Sequence, residues 1–179
     1  MQIIRSAWRQ FEEREVIGLK KKFLNVFLPI IMCCILPTSA NAKTEDTWIS
    51  KTAQKACVDY GKEYGICPEL LMAMIERESS GDPNAKNGTC TGLMQASSRW
   101  HAGRMKELGV SSLYNERGNV HVGADYLAEL IEGSGEVALA LMVYHGESDA
   151  EEKYENGKIS DYASGILKRS EKLERIHGK

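Results

Sequence analysis

PELLMAMIERESS, residues 68–80, predicts an apolar helix that carries a glutamate in its last turn. Pro68 suits the first turn of a helix, where its missing N–H is not needed, and the turn residues 81–84 end the helix. At about 100° per residue, Glu78 shares the apolar face of this helix and Glu76 points almost the opposite way. The apolar members of that face are Leu71, Met74 and Ile75.

Glu78 is therefore the candidate for acid chemistry. Burial on an apolar face raises the pKa of a carboxyl group, and the negative end of the helix dipole acts in the same direction. A carboxyl that keeps its proton at neutral pH meets the first requirement of a general acid. The same position also fits a glutamate that is half-exposed or paired and has no catalytic role, and the face alone does not separate the two.

Helical periodicity dominates the rest of the sequence after residue 42. We expect further helices at about 46–63, 100–108, 120–131, 137–144 and 159–176. Gly65 ends the first of them, Ser98 is the expected N-cap of the second, and a break at Gly165 is an alternative for the last.

A small β-hairpin is expected between Ala85 and Gln95, because Asn87-Gly88 is a strong hairpin turn signal. Together with the helices, it predicts the α+β class, mostly α, with a small hairpin beside the helix that carries Glu78.

The first 42 residues have the pattern of an export signal. Three lysines, residues 20–22, precede an apolar run of 14 residues, Phe23–Leu36, and Ala40-Asn41-Ala42 supplies the small residues of a signal peptidase site. We predict cleavage after Ala42, which leaves a domain at 43–179 outside the cytoplasmic membrane. The alternative is an uncleaved signal whose residues 20–36 anchor the protein, although a typical span needs roughly 20 apolar residues.

The charge balance argues against a nucleic-acid partner. The chain of 179 residues carries a net charge of −2, and its first 42 residues, with six Lys/Arg and three Asp/Glu, carry +3. Residues 43–179 therefore carry −5, and they contain no basic patch of the kind that marks nucleic-acid binding.

Cys57, Cys67 and Cys90 remain after the predicted cleavage, in a compartment where disulfides persist. We expect one disulfide and one free thiol, with three pairings open. A pair that includes Cys90 is favoured, because it would pin the loop to the helices. The four histidines are scattered and no Cys-x-x-Cys is present, so neither a metal site nor a cofactor is expected.

Five short motifs, taken in order, resemble the catalytic domain of the soluble lytic transglycosylase (SLT) family, which is related to goose-type lysozyme. They are Glu78-Ser79, Gly92-Leu93-Met94-Gln95, then Asn119 with Gly123, Tyr126 and Leu127, then Ala140 with Tyr144, His145 and Gly146, and last Tyr162 with Ile166 and Leu167. They cover most of residues 48–168. His145 departs from the family pattern, in which asparagine is common. The resemblance implies a lysozyme-like fold and an enzyme that cuts the glycan strands of peptidoglycan.

The resemblance also implies roles for single residues. Glu78 would protonate the oxygen between N-acetylmuramic acid and N-acetylglucosamine, then take a proton from the muramic C6 hydroxyl as a 1,6-anhydro ring closes. The residues implied in holding substrate or orienting the acid are Ser79, Met94, Gln95, Tyr126, Tyr144 and His145. Packing is the alternative for Met94, Tyr126 and Tyr162, and helix termination is the alternative for Ser79. For His145 the alternative is a surface or core histidine with no catalytic role. Glu76→Gln is expected to leave the digestion rate normal.

A hydrolytic muramidase is the alternative enzyme, and it would need a second carboxylate near Glu78. Asp82 precedes Pro83 and resembles a turn residue, whereas Glu147 and Asp149 follow the Tyr144 motif and could reach the site. None of them is a compelling partner, which favours the lyase.

An assembly or wall-binding protein without activity is the alternative from another class, and an acid on an apolar face argues against it. Conjugation or secretion machinery is a candidate partner by analogy alone. We expect the chain to be a monomer.

Overall fold

The computed structural model describes residues 47–179, so the predicted signal segment and its cleavage site lie outside the described residues. Seven helices make up most of this range: α1 Lys51–Tyr64, α2 Pro68–Ser79, α3 Ala102–Glu107, α4 Glu116–Ser134, α5 Val137–Tyr144, α6 Ala150–Glu155 and α7 Asp161–Ile176. Three short strands are present: β1 Lys86–Asn87, β2 Cys90–Thr91 and β3 Ala96–Ser97. The mostly helical α+β, lysozyme-like fold is confirmed. Within 47–179, every helix is too short or too polar to cross a membrane.

The strands form one antiparallel sheet in the order β1-β2-β3. The predicted hairpin is confirmed: Asn87 pairs with Cys90, and Gly88 opens the two-residue loop with a φ of 59°. Glycine adopts positive φ without the steric cost that other residues meet, which is why it suits this position. A third strand, β3, follows the predicted hairpin and contacts α4.

Capping sets the start of α1 later than the predicted residue 46. Ser50 Oγ accepts a hydrogen bond from the Ala53 N–H at 3.0 Å, so the helix begins at Lys51. A serine in this position satisfies an N–H that the first helical turn leaves unpaired.

One other boundary was predicted wrongly, and one alternative is excluded. The helix expected to be capped by Ser98 begins only at Ala102, after His101, which makes no side-chain cap. α7 runs through Gly165 without a break, because Ser160 caps it and buried residues on both sides of the glycine pack into the core.

α2 is buried all round rather than along one stripe. Residues 69–76 are all buried, because both α1 and α7 pack against this helix. A helix enclosed in this way has no polar face to give to solvent. Glu76 therefore lies in the interior although it points away from Glu78. Glu76→Gln is therefore expected to lower the stability, whereas a normal digestion rate stays a prediction.

The three cysteines that the structure describes are free, which contradicts the expected disulfide. Cys57 is fully buried in α1, and the Cys67 thiol donates to Glu69 Oε2 at 3.1 Å. Burial and the Glu69 carboxylate raise the pKa of Cys67 to about 11. Because the thiolate is the species that attacks in disulfide formation, Cys57 and Cys67 are poorly reactive.

Candidate active site

Glu78 lies in the last turn of α2, half-buried, just before Ser80 takes the left-handed conformation that ends the helix. α7 packs against α2 and places Tyr162 beside this turn. The Tyr162 hydroxyl donates a hydrogen bond to Glu78 Oε1. The sequence had left Tyr162 as a packing or sugar-contacting residue. Its signal was the Tyr-x-x-x-Ile-Leu motif, which does not reveal which residue the hydroxyl will reach.

Burial raises the pKa of Glu78 above that of an ordinary glutamate. The Tyr162 hydrogen bond, a charged His145 and the Arg77 guanidinium act in the opposite direction without outweighing burial. A neutral hydroxyl compensates a buried negative charge less well than a bound cation does. The protonated form of Glu78 therefore persists to higher pH than usual, which suits a group that must first donate a proton.

Tyr162 is covered by two further side chains. The His145 ring lies flat on it, with ring centroids 4.0 Å apart and planes at 8°. The Arg77 guanidinium carbon lies 5.8 Å from the centre of the same ring. The structure thus brings His145, Arg77 and Glu78 together around one tyrosine.

Tyr144 connects Glu78 to the Gly-Leu-Met-Gln motif. Its hydroxyl donates to the Met94 carbonyl at 2.9 Å. Burial raises the pKa of Tyr144 well above the usual value, and the negative charge of Glu78 raises it further, so the two groups are near neighbours. Tyr144 also packs on Tyr126, at 5.3 Å between ring centroids.

Asn119 holds the Gly-Leu-Met-Gln turn in place from α4. Its fully buried side chain accepts a hydrogen bond from the Met94 N–H at 2.7 Å and donates to the carbonyls of Thr91 and Leu113, each at 2.8 Å. A buried amide with its hydrogen bonds satisfied fixes local geometry. This explains why an asparagine belongs to the motif without touching Glu78.

Gly123 lets the Met94 side chain lie directly on α4. A Cβ at this position would stand 2.6 Å from Met94 Sδ, which is far inside van der Waals contact. Met94 is fully buried. Its side chain packs in the core, which agrees with the packing alternative.

Ser79 and Gln95 use their side chains to shape turns. Ser79 Oγ donates to the Ile75 carbonyl at 3.1 Å and accepts from the Gly81 N–H at 3.2 Å. Gln95 has a φ of 48°, and its amide donates to the Gly92 carbonyl at 2.9 Å. Both residues define the backbone near Glu78, and neither side chain is hydrogen-bonded to it.

Tyr126 stands farther along, between His101 and Tyr144. The His101 ring centroid lies 4.7 Å away, and the Arg104 guanidinium carbon lies 5.1 Å from the tyrosine ring. Arg104 is itself held by Asp125, at 2.6 Å. The tyrosine is half-buried, so one edge stays open to solvent beside Tyr144.

The three candidates for a second carboxylate are engaged elsewhere. Asp82 accepts a hydrogen bond from the Asn84 N–H at 2.8 Å, which is the turn role predicted for it. Glu147 pairs with Lys153 at 3.1 Å, and exposed Asp149 pairs with the same lysine at 2.9 Å. The groups that shift the Glu78 pKa are Tyr162, two cationic side chains and burial, and no carboxylate is among them.

Two cavities of about 500 and 420 Å³ lie away from Glu78. The larger is mainly apolar and is lined by α1, α4 and the segment between α1 and α2, whereas the smaller is polar and is lined by Tyr60, His121 and the segment before α4. Among residues 47–179, no three metal-ligating side chains cluster.

Comparison with known proteins places these motifs in a family. Residues 56–163 match the family model of the transglycosylase SLT domain. The chain is also 33% identical to a transglycosylase of Enterobacteria phage PRD1 over 107 residues, which are 59% of this chain and 38% of the phage protein. The chain thus spans well under half the length of that relative. Since the family match covers more than half of the sequence and includes Glu78, Asn119 and Tyr162, the chain belongs to the transglycosylase SLT domain family.

Proposed function

We propose that the chain is a peptidoglycan lytic transglycosylase that uses Glu78 first as an acid and then as a base. The observation that carries the proposal is the state of the Glu78 carboxyl. It is half-buried, has a raised pKa, and takes its hydrogen bond from the neutral hydroxyl of Tyr162.

In the first step, Glu78 donates its proton to the glycosidic oxygen between N-acetylmuramic acid and N-acetylglucosamine, and the bond to the muramic C1 breaks. In the second, the carboxylate removes the proton of the muramic C6 hydroxyl, whose oxygen attacks C1. A 1,6-anhydro ring forms and Glu78 regains its proton. No water is consumed, so the reaction needs no second carboxylate to activate one.

The surroundings of Glu78 support both steps. Burial favours the protonated acid at the start, while the Tyr162 hydroxyl and the nearby cations Arg77 and His145 stabilise the carboxylate once the proton has left. Opposing effects of this kind suit a group that must act first as an acid and then as a base. Tyr144 and Tyr126 form an aromatic row next to it, of the kind that packs against sugar rings.

The products distinguish the proposal from a hydrolase. Purified sacculi are digested with the chain, and the released muropeptides are weighed. Anhydro products, lighter by one water than reducing-end products, are expected. Reducing ends alone would show a hydrolytic muramidase, and the absence of any product would favour a wall-binding protein.

A variant pair tests the role of Glu78. Glu78→Gln keeps the size and the hydrogen-bond acceptor, and it is expected to abolish product release. Glu171→Gln is the matched control, because Glu171 is 68% exposed and paired with Arg175, about two and a half turns from Tyr162 on the same helix. Full activity of Glu78→Gln would end the proposal.

We propose further that the enzyme acts outside the cytoplasmic membrane. The support is the pattern of residues 1–42, with its basic residues, apolar run and small residues before the predicted cut. Sequencing the N-terminus of the exported protein tests this: a start at Lys43 is expected, and an intact residue 1 in the membrane fraction would instead indicate an anchor.

A further inference from the structure

A second carboxylate is linked to Glu78 through two stacked rings. Glu147 Oε1 lies 3.5 Å from His145 Nδ1, the His145 ring lies flat on Tyr162, and the Tyr162 hydroxyl donates to Glu78. We propose that Glu147 is a positioning residue that acts through His145 and Tyr162 to hold the Glu78 carboxyl in its reactive orientation. This rests on the proposed function, since the orientation matters only if Glu78 is the acid.

The Glu147 side chain is in an unusual state for a surface loop. It is only 12% exposed. Its Oε2 accepts a hydrogen bond from Lys153 at 3.1 Å, whereas its Oε1 is buried without a hydrogen-bond partner. A buried polar atom left in this way costs free energy unless a charge nearby compensates it. His145 Nδ1, 3.5 Å away, supplies that charge whenever the ring is protonated.

The stack fixes the plane of the His145 ring against Tyr162. Whenever both ring nitrogens carry a proton, the charge of the ring is attracted to the face of the tyrosine. The side chain of His145 is 49% exposed, so packing alone does not hold it flat on Tyr162. Glu147 and Tyr162 together hold the ring in this orientation.

The consequence for Glu78 is geometric and electrostatic. A ring fixed by His145 keeps the Tyr162 hydroxyl directed at Oε1, which leaves Oε2 of Glu78 without a hydrogen-bond donor among residues 47–179. That oxygen is the one available to deliver the proton. The positive charge of His145 also stabilises the Glu78 carboxylate after the proton has left.

Several charged, titratable or hydrogen-bonding groups lie around this arrangement, and Asp149 reaches it only through Lys153. They are Arg77 and Glu78 of α2, Tyr144 of α5, Glu147 and Asp149 of the loop before α6, Lys153 of α6, Ser160 at the cap of α7 and Tyr162 of α7. Burial would raise the pKa of Glu147, but the nearby Ser160 hydroxyl and the Lys153 ammonium outweigh it and lower the pKa. Glu147 therefore stays charged across the neutral range.

The test measures kcat, KM and the pH profile on soluble, uncross-linked glycan strands. Glu147→Gln keeps the shape and removes the charge, and it is expected to lower kcat by about 5- to 10-fold while KM stays within about two-fold. The alkaline limb, set by loss of the Glu78 proton, should move up by about half a pH unit, because less imidazolium is present to stabilise the carboxylate. His145→Phe keeps a ring on Tyr162 without the cation and should shift the limb by as much or more.

Asp149→Asn is the matched control. It removes the other partner of Lys153 without touching His145, and it should leave kcat and the pH profile as in the unaltered chain. An equal loss in Asp149→Asn would assign the effect to Lys153 and α6, which would overturn the proposal.

Unaltered kcat and pH profiles in folded Glu147→Gln and His145→Phe would also overturn it. If Glu147→Gln does not fold by circular dichroism, His145→Phe alone decides, because half-exposed His145 tolerates replacement. Glu78→Gln separates the two proposals: activity there rejects the proposed function, whereas an inactive Glu78→Gln with unaffected Glu147→Gln and His145→Phe rejects the positioning role alone.

Discussion

The interior of α2 and its half-buried end hold glutamates in opposite ways. In the interior, Glu76 accepts hydrogen bonds from Arg169 at 2.5 and 3.0 Å and from the Thr47 hydroxyl at 2.7 Å. Glu69 is bound by His177 at 2.8 Å and by Lys179 at 2.9 Å. At the end of the helix, Glu78 has a tyrosine hydroxyl.

Burial alone therefore does not decide whether the pKa of a glutamate is raised. Burial raises the pKa of Glu69 as well, but the hydrogen bonds from His177, Lys179 and Cys67 outweigh it and lower that pKa to about 2. Both interior carboxylates are neutralised by cations and serve stability. Glu78 lacks such a partner in contact, so burial prevails and its pKa is raised.

The largest effect is expected at Glu78. Glu78→Gln is expected to lower the rate of glycan cleavage by roughly 10²- to 10⁴-fold, the usual contribution of a general acid and base. Its free energy of unfolding at pH 7 should not fall, because an unfavourably buried carboxylate is removed. Muropeptide release and urea unfolding measure the two effects. A variant that loses stability in proportion to its activity would contradict the catalytic interpretation.

At Glu76 the effect should fall on stability instead. Arg169→Met leaves the buried Glu76 carboxylate without its guanidinium, and removing one partner of a buried pair costs about 3–5 kcal/mol. Because the Arg169 side chain is 19% exposed, we expect the lower end of that range in urea unfolding. The rate per folded molecule should remain normal, and a large rate loss without destabilisation would place Glu76 in the active site.

Glu69 predicts a dependence of stability on acid. Its folded-state pKa of about 2 lies below the ordinary 4.5, so its contribution is fully present above pH 4.5 and is lost as the pH falls through 2. A shift of that size corresponds to at most about 3 kcal/mol. Lys179→Ala should flatten the loss between pH 5 and 2, whereas Lys168→Ala, at an exposed site of α7, should not. Equal curves for both variants would show that Glu69 has no such role.

The smallest effect is expected at Tyr162, whose neutral hydroxyl contacts Glu78, whereas cations contact Glu76 and Glu69. Tyr162→Phe removes a hydrogen bond that lowers the pKa of Glu78, so the pKa rises and the alkaline limb of the pH–rate profile moves up. A neutral hydrogen bond is worth about 1 kcal/mol, which limits the shift to less than about one pH unit. A shift to lower pH would mean that Tyr162 does not stabilise the carboxylate.

Local sequence patterns predicted much of the fold because local chemistry decides it. α2 and α5 have nearly the predicted bounds, since Pro68 starts one and apolar periodicity defines the other. The hairpin follows from the turn residues near Gly88. The start of α3 was predicted wrongly, and the alternative of a break at Gly165 stayed open, because the capping and packing that decide them depend on residues from other elements.

From the sequence alone, Glu78 could be placed at the end of an apolar helix and among motifs that resemble those of one family. Only the tertiary structure decided which partner each glutamate of α2 receives, because those partners stand 84, 93 and 108 residues away along the chain. A helical wheel orders residues around one axis, but it contains no information on the helix that packs against each face. Through α7, Arg169 neutralises Glu76 and Tyr162 leaves Glu78 able to hold its proton, and this separates the two carboxylates.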